Sequence, residues 1–208
     1  DFYRFFPFSR SNQNKLYLYQ VRFFELLFSI LGIAIGALMV PFLVVANWFW
    51  NRGPLFYTQE RVGKDGALFK IYKFRSMVEN AEVNGAVFSK IGDTRVTPFG
   101  KFLRKTRIDE IPQFLNILKG DMGVIGPRPE RPMFVEEISA IMPFYETRHI
   151  IKPGLTGWAQ VNYNYGESIE ESLVKLQYDL YYIKHRSVFI DISIVFKTIS
   201  TVVFYRGQ

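Results

Sequence analysis

The sequence predicts an α+β fold that is mainly helical and membrane-associated, and three observations carry that expectation. One long apolar run lies near the N-terminus, two strand-like segments flank a turn just after it, and later segments place apolar residues at helical spacing. With 208 residues the chain has material for one core, and length alone gives no reason to divide it.

The apolar run extends from Leu26 to Trp50 without a charged residue, longer than the roughly 20 residues a straight helix needs to cross hydrocarbon. Pro41 sits well inside it. Proline removes one backbone hydrogen bond and crowds the preceding turn, so a bend is expected after Val40. Both flanks are basic, with Lys15 and Arg22 before the run and Arg52, Arg61 and Lys64 after it, so the positive-inside rule assigns no orientation. A kinked single span and a bent helix that returns to the same face both satisfy these residues.

Next, PLFYTQERVG and LFKIYKFR flank Lys64-Asp65-Gly66, which reads as a β-hairpin with Gly where positive φ is wanted. From Thr97 onward Phe99, Phe102 and Leu103 follow helical spacing among Lys101, Arg104, Lys105 and Arg107. That pattern predicts a basic amphipathic helix suited to a membrane surface. A second helix is expected to start at Asp109, with Pro112 tolerated in its first turn and Lys119-Gly120 as its stop. Its apolar stripe is Ile111, Phe114, Leu115 and Leu118. Ser168 and Glu171 form a capping-box pattern ahead of a helix carrying Leu173, Leu176, Leu180 and Ile183 on one face. The last stretch, Val188 to about Tyr205, predicts a core or interfacial helix.

Composition narrows the function classes. With 49% hydrophobic and 22% charged residues the chain is too apolar for disorder, yet only part of it suits a bilayer. A formal charge of +7 points to anionic partners: nucleic acid, acidic lipid head groups or phosphorylated metabolites. The absence of cysteine excludes disulfides, thiolate zinc sites and thiol catalysis. His149 and His185 stand alone and far apart in sequence, which is no metal pattern. The chain begins with Asp1 rather than Met, followed by an aromatic and charged stretch without a signal-peptide cleavage pattern. It is expected to be the C-terminal part of a longer protein.

The densest chemistry lies between Thr97 and Glu130. Asp109 and Glu110 are adjacent carboxylates at an expected helix start, where unpaired amides favour negative charge and suit an ionised nucleophile. An Asp at an N-cap followed by Glu is also an ordinary helix start. The surrounding cations shift the balance toward function: Arg104, Lys105 and Arg107 precede the pair, and Gly126-Pro127-Arg128-Pro129 supplies a rigid turn. Arg128 there suits a forked contact with phosphate oxygens. Upstream, Lys73 and Arg75 alternate along an expected strand and share one face, which a solvated basic edge would equally explain.

With these motifs in order, the sequence resembles the bacterial sugar transferases, the monotopic polyprenyl-phosphate phosphoglycosyl transferases. The resemblance runs from about Arg22 to Lys197. It rests on the segment Arg22 to Glu25, QERVGKDG, FKIYKFRSM, the DxR of Asp93-Thr94-Arg95, RIDEIPQ, LNILKGDMGVIGPRPE and KPGLTGWAQVN. Any one of these is weak alone; their joint order and spacing is highly specific.

The resemblance implies a two-step transfer. Asp109 attacks the sugar-bearing phosphorus of a UDP-sugar and releases UMP, and polyprenyl (undecaprenyl) phosphate then takes the phosphosugar from its carboxylate. It implies Mg²⁺ held with the help of Glu110, phosphate contacts from Arg104 and Arg128, and a weaker carry-over for Lys73 and its neighbour Arg75. It also implies that the membrane helix is re-entrant, broken at Pro41 and confined to one leaflet. The expected organisation is a juxtamembrane segment over 1–21, the re-entrant helix over 22–52 and a catalytic domain over 53–208. The catalytic domain is expected on the cytoplasmic face of the bacterial inner membrane, without nucleic acid as a partner and with homo-oligomerisation left open.

Three departures from the family pattern stand out. Val40 precedes Pro41 where some members have Ser, so packing rather than a hydroxyl must support the bend. Glu25 replaces an aspartate, keeping an Arg-carboxylate pair with longer reach. Asn162-Tyr163-Asn164-Tyr165-Gly166 stands where Asn-Gly-Arg is common, which puts any contact carried by that arginine in doubt. The GPRPERP form and the opening are similar to longer members with extra N-terminal membrane helices, which act in exopolysaccharide, O-antigen or other glycoconjugate initiation. Two rival readings remain at this level: a membrane-tethered basic module that binds anionic lipid or nucleic acid without chemistry, and a transferase without a covalent intermediate.

Overall fold

A computed structural model describes residues 15–83, 85, 92–163 and 169–203. The capping-box residue Ser168, the Asn164-Tyr165-Gly166 departure, most of the juxtamembrane segment and Tyr205 lie outside the described residues.

Helix α1 runs from Lys15 to Trp50, 36 residues that include Pro41, with a length along its axis of about 54 Å at 1.5 Å per residue. Among the described residues it is the one helix long and apolar enough to cross a membrane. Its buried positions, Glu25, Ser29, Gly32, Gly36, Leu43 and Asn47, fall three, four or seven apart and make one stripe. Around the rest of its circumference Leu27, Phe28, Leu31, Ile35, Leu38, Phe42, Val45 and Trp48 are exposed. The polar or small side is therefore the one turned toward protein, inverted relative to a helix of a water-soluble core. Val40 packs on the Leu43, Phe74 and Leu103 cluster.

The hairpin forms as expected. Strands β1 (Phe56–Val62) and β2 (Leu68–Phe74) pair antiparallel with Val62 opposite Leu68, and Asp65 and Gly66 in the turn take positive φ of 54° and 80°. Helix α2 (Pro98–Lys105) is capped by Thr97, whose side chain accepts from the Gly100 amide, and it buries Leu103 while exposing Phe102 and Lys101.

The second expected helix is shorter and starts later. Asp109 lies in a single 3₁₀ turn, Ile108–Glu110, entered through Arg107 at φ 57°, and helix α3 (Gln113–Lys119) begins only after Pro112. Its end is as expected, with Gly120 at φ 92° receiving the chain. The apolar stripe is split: Phe114 and Ile111 pack onto Gly32 and Gly36 of α1, where an added Cβ would come within 2.3 Å and 2.8 Å of them. Leu115 and Leu118 point outward, and the buried face is Gln113, Asn116 and Ile117. So short a helix, wedged between α1 and β2, takes its burial from its neighbours rather than from its own periodicity.

Strand β3 (Gly123–Ile125) pairs in parallel with the distant β4 (Gly154–Thr156). Helices α4 (Pro132–Ile141), α5 (Trp158–Asn162), α6 (Ile169–His185) and α7 (Val188–Val203) complete the body. Val62, Val135, Ile138, Tyr145 and Leu176 form one core cluster, and Ile151, Tyr182, Ile183 and Ile194 another. Helix α7 is mixed: Ile194 is fully buried while Phe189, Ile192, Phe196 and Ile199 are exposed along it.

Both ends of α1 are tied to this one body. Near its start Arg22 pairs with Glu25 at 3.2 Å, as the sequence led us to expect, and donates to the carbonyls of Ile117 and Leu118 at 2.8 and 2.9 Å. Just past its end Asn51 donates to the Arg75 carbonyl at 2.8 Å.

Candidate active site

Four segments bring charged side chains to one place. Strand β2 carries Lys73, helix α2 carries Arg104, the 3₁₀ turn carries Arg107, Asp109 and Glu110, and the Pro127–Pro129 turn carries Arg128. That last turn is fixed through its backbone: the Gly154 amide donates to the Pro127 carbonyl at 2.9 Å and the Gly126 amide to Thr156 at 2.9 Å. A Cβ on Gly154 would meet the Gly126 nitrogen at 2.0 Å, so only glycine allows so close an approach. The GPRP and KPGLTG motifs are thus two halves of one clamp that holds Arg128.

Both carboxylates are buried, Asp109 to 7% exposure and Glu110 to 8%. Their electrostatics diverge. Glu110 Oε1 lies 3.1 Å from Lys73 Nζ and 3.7 Å from Arg128, and Oε2 lies 3.8 Å from Arg107. Burial pushes Glu110 toward its neutral form, but Lys73, Arg128 and Arg107 together outweigh burial and hold it ionised. Asp109 goes the other way: burial first, then the charge of Glu110, push its carboxyl above the usual carboxylate range, only partly offset by Lys73, Arg104 and Arg107. Its Oδ1 is buried without a hydrogen-bond partner. The expected stabilisation at a helix N-terminus is therefore absent, because the turn before Pro112 is 3₁₀ and α3 starts four residues beyond Asp109.

The predicted positions separate into two groups. Lys73, Arg104, Arg128, Asp109 and Glu110 converge; Arg75 does not. Strand β2 ends at Phe74, so alternation no longer sets where Arg75 points. Its guanidinium donates to the carbonyls of Pro54, Asn51, Arg52 and Met77 and to the Asn51 side chain, which engages all five N–H groups. Arg75 is a clasp between the hairpin and the end of α1. Pro41 lies within the continuous α1, away from the dyad in sequence.

Sequence reasoning missed two residues that line the narrow cleft beside Lys73 and Arg128: Arg61 and Gln113. Arg61 donates to the Pro129 carbonyl at 3.0 Å and to Gln59 at 2.6 Å, and burial lowers its pKa to about 10. Gln113 is 3% exposed. Their presence inside QERVG and RIDEIPQ was the available signal, since each motif carries a polar residue that hairpin or helix formation does not require. A larger cavity, about 430 Å³, lies between the hairpin turn, α4 and the turn Tyr145–Ile150, lined by Asp65, Glu136, Glu146 and His149. None of the converging cations lines it, and burial with the Arg148 charge lowers His149 to about 4, leaving it neutral. The smaller cleft is lined by Lys73 and Arg128, both of which lie within 4 Å of Glu110.

A profile of the family described as bacterial sugar transferase matches residues 16–205. The chain belongs to the bacterial sugar transferase family. A relative from Aeromonas hydrophila, a UDP-N-acetylgalactosamine-undecaprenyl-phosphate N-acetylgalactosaminephosphotransferase, is 45% identical over 187 residues, covering 90% of this chain and 44% of the relative. The UDP-glucose:undecaprenyl-phosphate glucose-1-phosphate transferase of Escherichia coli strain K12 is 44% identical over 153 residues, 72% of this chain and 32% of the relative. An undecaprenyl-phosphate glucose phosphotransferase from Komagataeibacter xylinus is 34% identical over 215 residues, 98% of this chain and 40% of the relative. This sugar transferase chain spans less than half the length of each of these three.

Proposed function

We propose that the chain is a phosphoglycosyl transferase that moves a sugar 1-phosphate from a UDP-sugar to undecaprenyl phosphate on the cytoplasmic face of the bacterial inner membrane. The observation that carries this reading is the pairing of a buried carboxylate bearing an unpartnered oxygen, Asp109, with a neighbour whose charge is already neutralised by three cations. An Asp109 oxygen attacks the sugar-bearing phosphorus, its bond to the UMP oxygen breaks, and an acyl phosphate to the sugar remains. An oxygen of undecaprenyl phosphate then attacks the same phosphorus and restores the carboxylate. Lys73, Arg104, Arg107 and Arg128 exceed the two carboxylates in charge, which suits a donor diphosphate, and Arg128 offers the forked geometry for it. UDP-N-acetylgalactosamine and UDP-glucose are the donors to try first, because the relatives' names contain them.

The donor set fits Mg²⁺. An ion of this kind takes one or two carboxylates and completes its shell with substrate phosphates, and Asp109 Oδ1 with Glu110 supplies such a pair. When bound, Mg²⁺ supplies charge neutralisation on the diphosphate. For the membrane, both ends of α1 are held by the same polar body, at Arg22 and at Asn51, which favours a re-entrant placement in one leaflet over a crossing. Labels near Lys15 and Lys64 are both expected to react from the cytoplasmic side.

The test is UMP release from a panel of UDP-sugars with undecaprenyl phosphate present. Asp109→Asn is expected to abolish release by on the order of 10⁴-fold or more while UDP-sugar binding survives. Full turnover by that variant removes Asp109 as nucleophile.

A further inference from the structure

Helix α3 presents two buried carboxamides three residues apart, and they differ in one respect. Asn116 is wholly enclosed and wholly satisfied: its Nδ2 donates to the Lys70 carbonyl at 2.7 Å and to Asp121 at 3.1 Å, and its Oδ1 accepts from the Tyr72 amide at 3.1 Å. It joins α3 to β2 as a structural splice. Gln113 is almost as buried, yet its Nε2 has no acceptor. Two N–H groups kept from water without an acceptor weaken the fold, and an apolar side chain of the same shape would avoid that cost. Packing alone therefore does not account for a glutamine here.

Gln113 lines the cleft together with Lys73, Arg61 and Arg128, so the nearest ligand chemistry is anionic. Arg61 adds a second buried, unpartnered donor, its Nε, to the same cleft. A neutral amide can direct an N–H at a charged oxygen without adding another positive charge to a cleft already lined by Lys73, Arg61 and Arg128. That is the kind of donor that stabilises charge on a transferring group. We infer that Gln113 is a substrate-contacting residue whose side-chain amide donates to a phosphate oxygen of the sugar nucleotide, four residues after the proposed nucleophile. This deepens the reading of the chain as a phosphoglycosyl transferase and rests on it.

The experiment compares Gln113→Met, which keeps the length and volume of the side chain and removes its donors, with wild type in the same detergent or nanodisc. Expected are a melting temperature equal to or above that of wild type and a fall in kcat/KM for UMP release of on the order of 10²-fold. A second measurement places Gln113→Met in the Asp109→Asn background and reads UDP-sugar affinity by calorimetry, where about tenfold weaker binding is expected. Wild-type kcat/KM in Gln113→Met overturns the assignment, and so does a loss of activity matched by a loss of melting temperature, which marks a structural residue. The two hypotheses fail separately: turnover by Asp109→Asn removes the nucleophile reading, whereas undiminished affinity in the double variant removes Gln113 as a phosphate ligand.

Discussion

Two buried ionic clusters in this molecule have opposite characters. The Arg148 and Asp179 side chains are 4% and 2% exposed, and the Arg148 Nε and Nη2 donate to Asp179 Oδ2 at 3.0 and 2.7 Å while Nη1 donates to the Tyr145 hydroxyl at 2.8 Å. Opposite charges meet one to one, and the tyrosine ring lies 5.0 Å from the guanidinium carbon. The Asp109–Glu110 site is less enclosed, its carboxylates 7% and 8% exposed, and it is unbalanced: two carboxylates among four cations, with an orphaned oxygen on one and an orphaned amide nearby. Matched charge in the interior locks a turn to a helix. Unmatched charge around the dyad leaves a net positive potential that favours an anion.

Exchanging the perturbation between the two clusters should give the largest effect. Asp179→Ala leaves a buried guanidinium uncompensated, and unfolding in denaturant should show a loss of about 3–5 kcal/mol. Asp109→Asn should do the reverse. Removing a carboxylate that burial and Glu110 disfavour should raise stability at neutral pH by about 1–3 kcal/mol even as UMP release disappears. Equal destabilisation by both substitutions would erase the distinction between them.

Lys73→Met should give an intermediate result. Glu110 loses its nearest partner, at 3.1 Å, but keeps Arg128 at 3.7 Å and Arg107 at 3.8 Å. The expected loss is about 1–2 kcal/mol, less than for an ion pair with a single partner, and it is read in the same denaturant series. A loss as large as that of Asp179→Ala would mean that Arg128 and Arg107 contribute little.

The sequence made the local elements readable and left the distant contacts hidden. The hairpin followed from two strand-like segments around Lys64-Asp65-Gly66, α2 from the helical spacing of Phe99, Phe102 and Leu103 after Thr97, and the stop at Gly120 from the Lys119-Gly120 pair. Asp109, Glu110 and Arg128 were legible because they sit in motifs denser in charge than packing requires, whereas Lys73 was legible only through the family resemblance, since a solvated basic edge explained its strand equally well. Arg75 was misread because one residue past the end of a strand its direction is set by carbonyls at the end of α1, some 20 positions away. The stripe on α3 failed for a related reason: in seven residues, contact with Gly32 and Gly36 on one side and β2 on the other outweighs periodicity. The β3–β4 pairing joins three-residue strands about 30 positions apart, with no pattern long enough to reveal it.

The finest test of the contrast is the pH dependence of stability. For Asp109 the native pKa is raised above the unfolded value near 4, so its contribution is fully present below that value and is lost as pH rises through the native one. For Glu110 the native pKa is depressed, so its contribution is present above its unfolded value, also near 4, and is lost as pH falls toward the native one. The adjacent carboxylates therefore act in adjacent windows with opposite sign. The stability gain of Asp109→Asn, measured at neutral pH, should shrink on acidification and vanish near pH 4, where wild-type Asp109 is already protonated. A gain that stays constant from neutral pH down to about 4 would mean that the native Asp109 carboxyl titrates as it does in the unfolded chain, and the asymmetry of the pair would be lost with it.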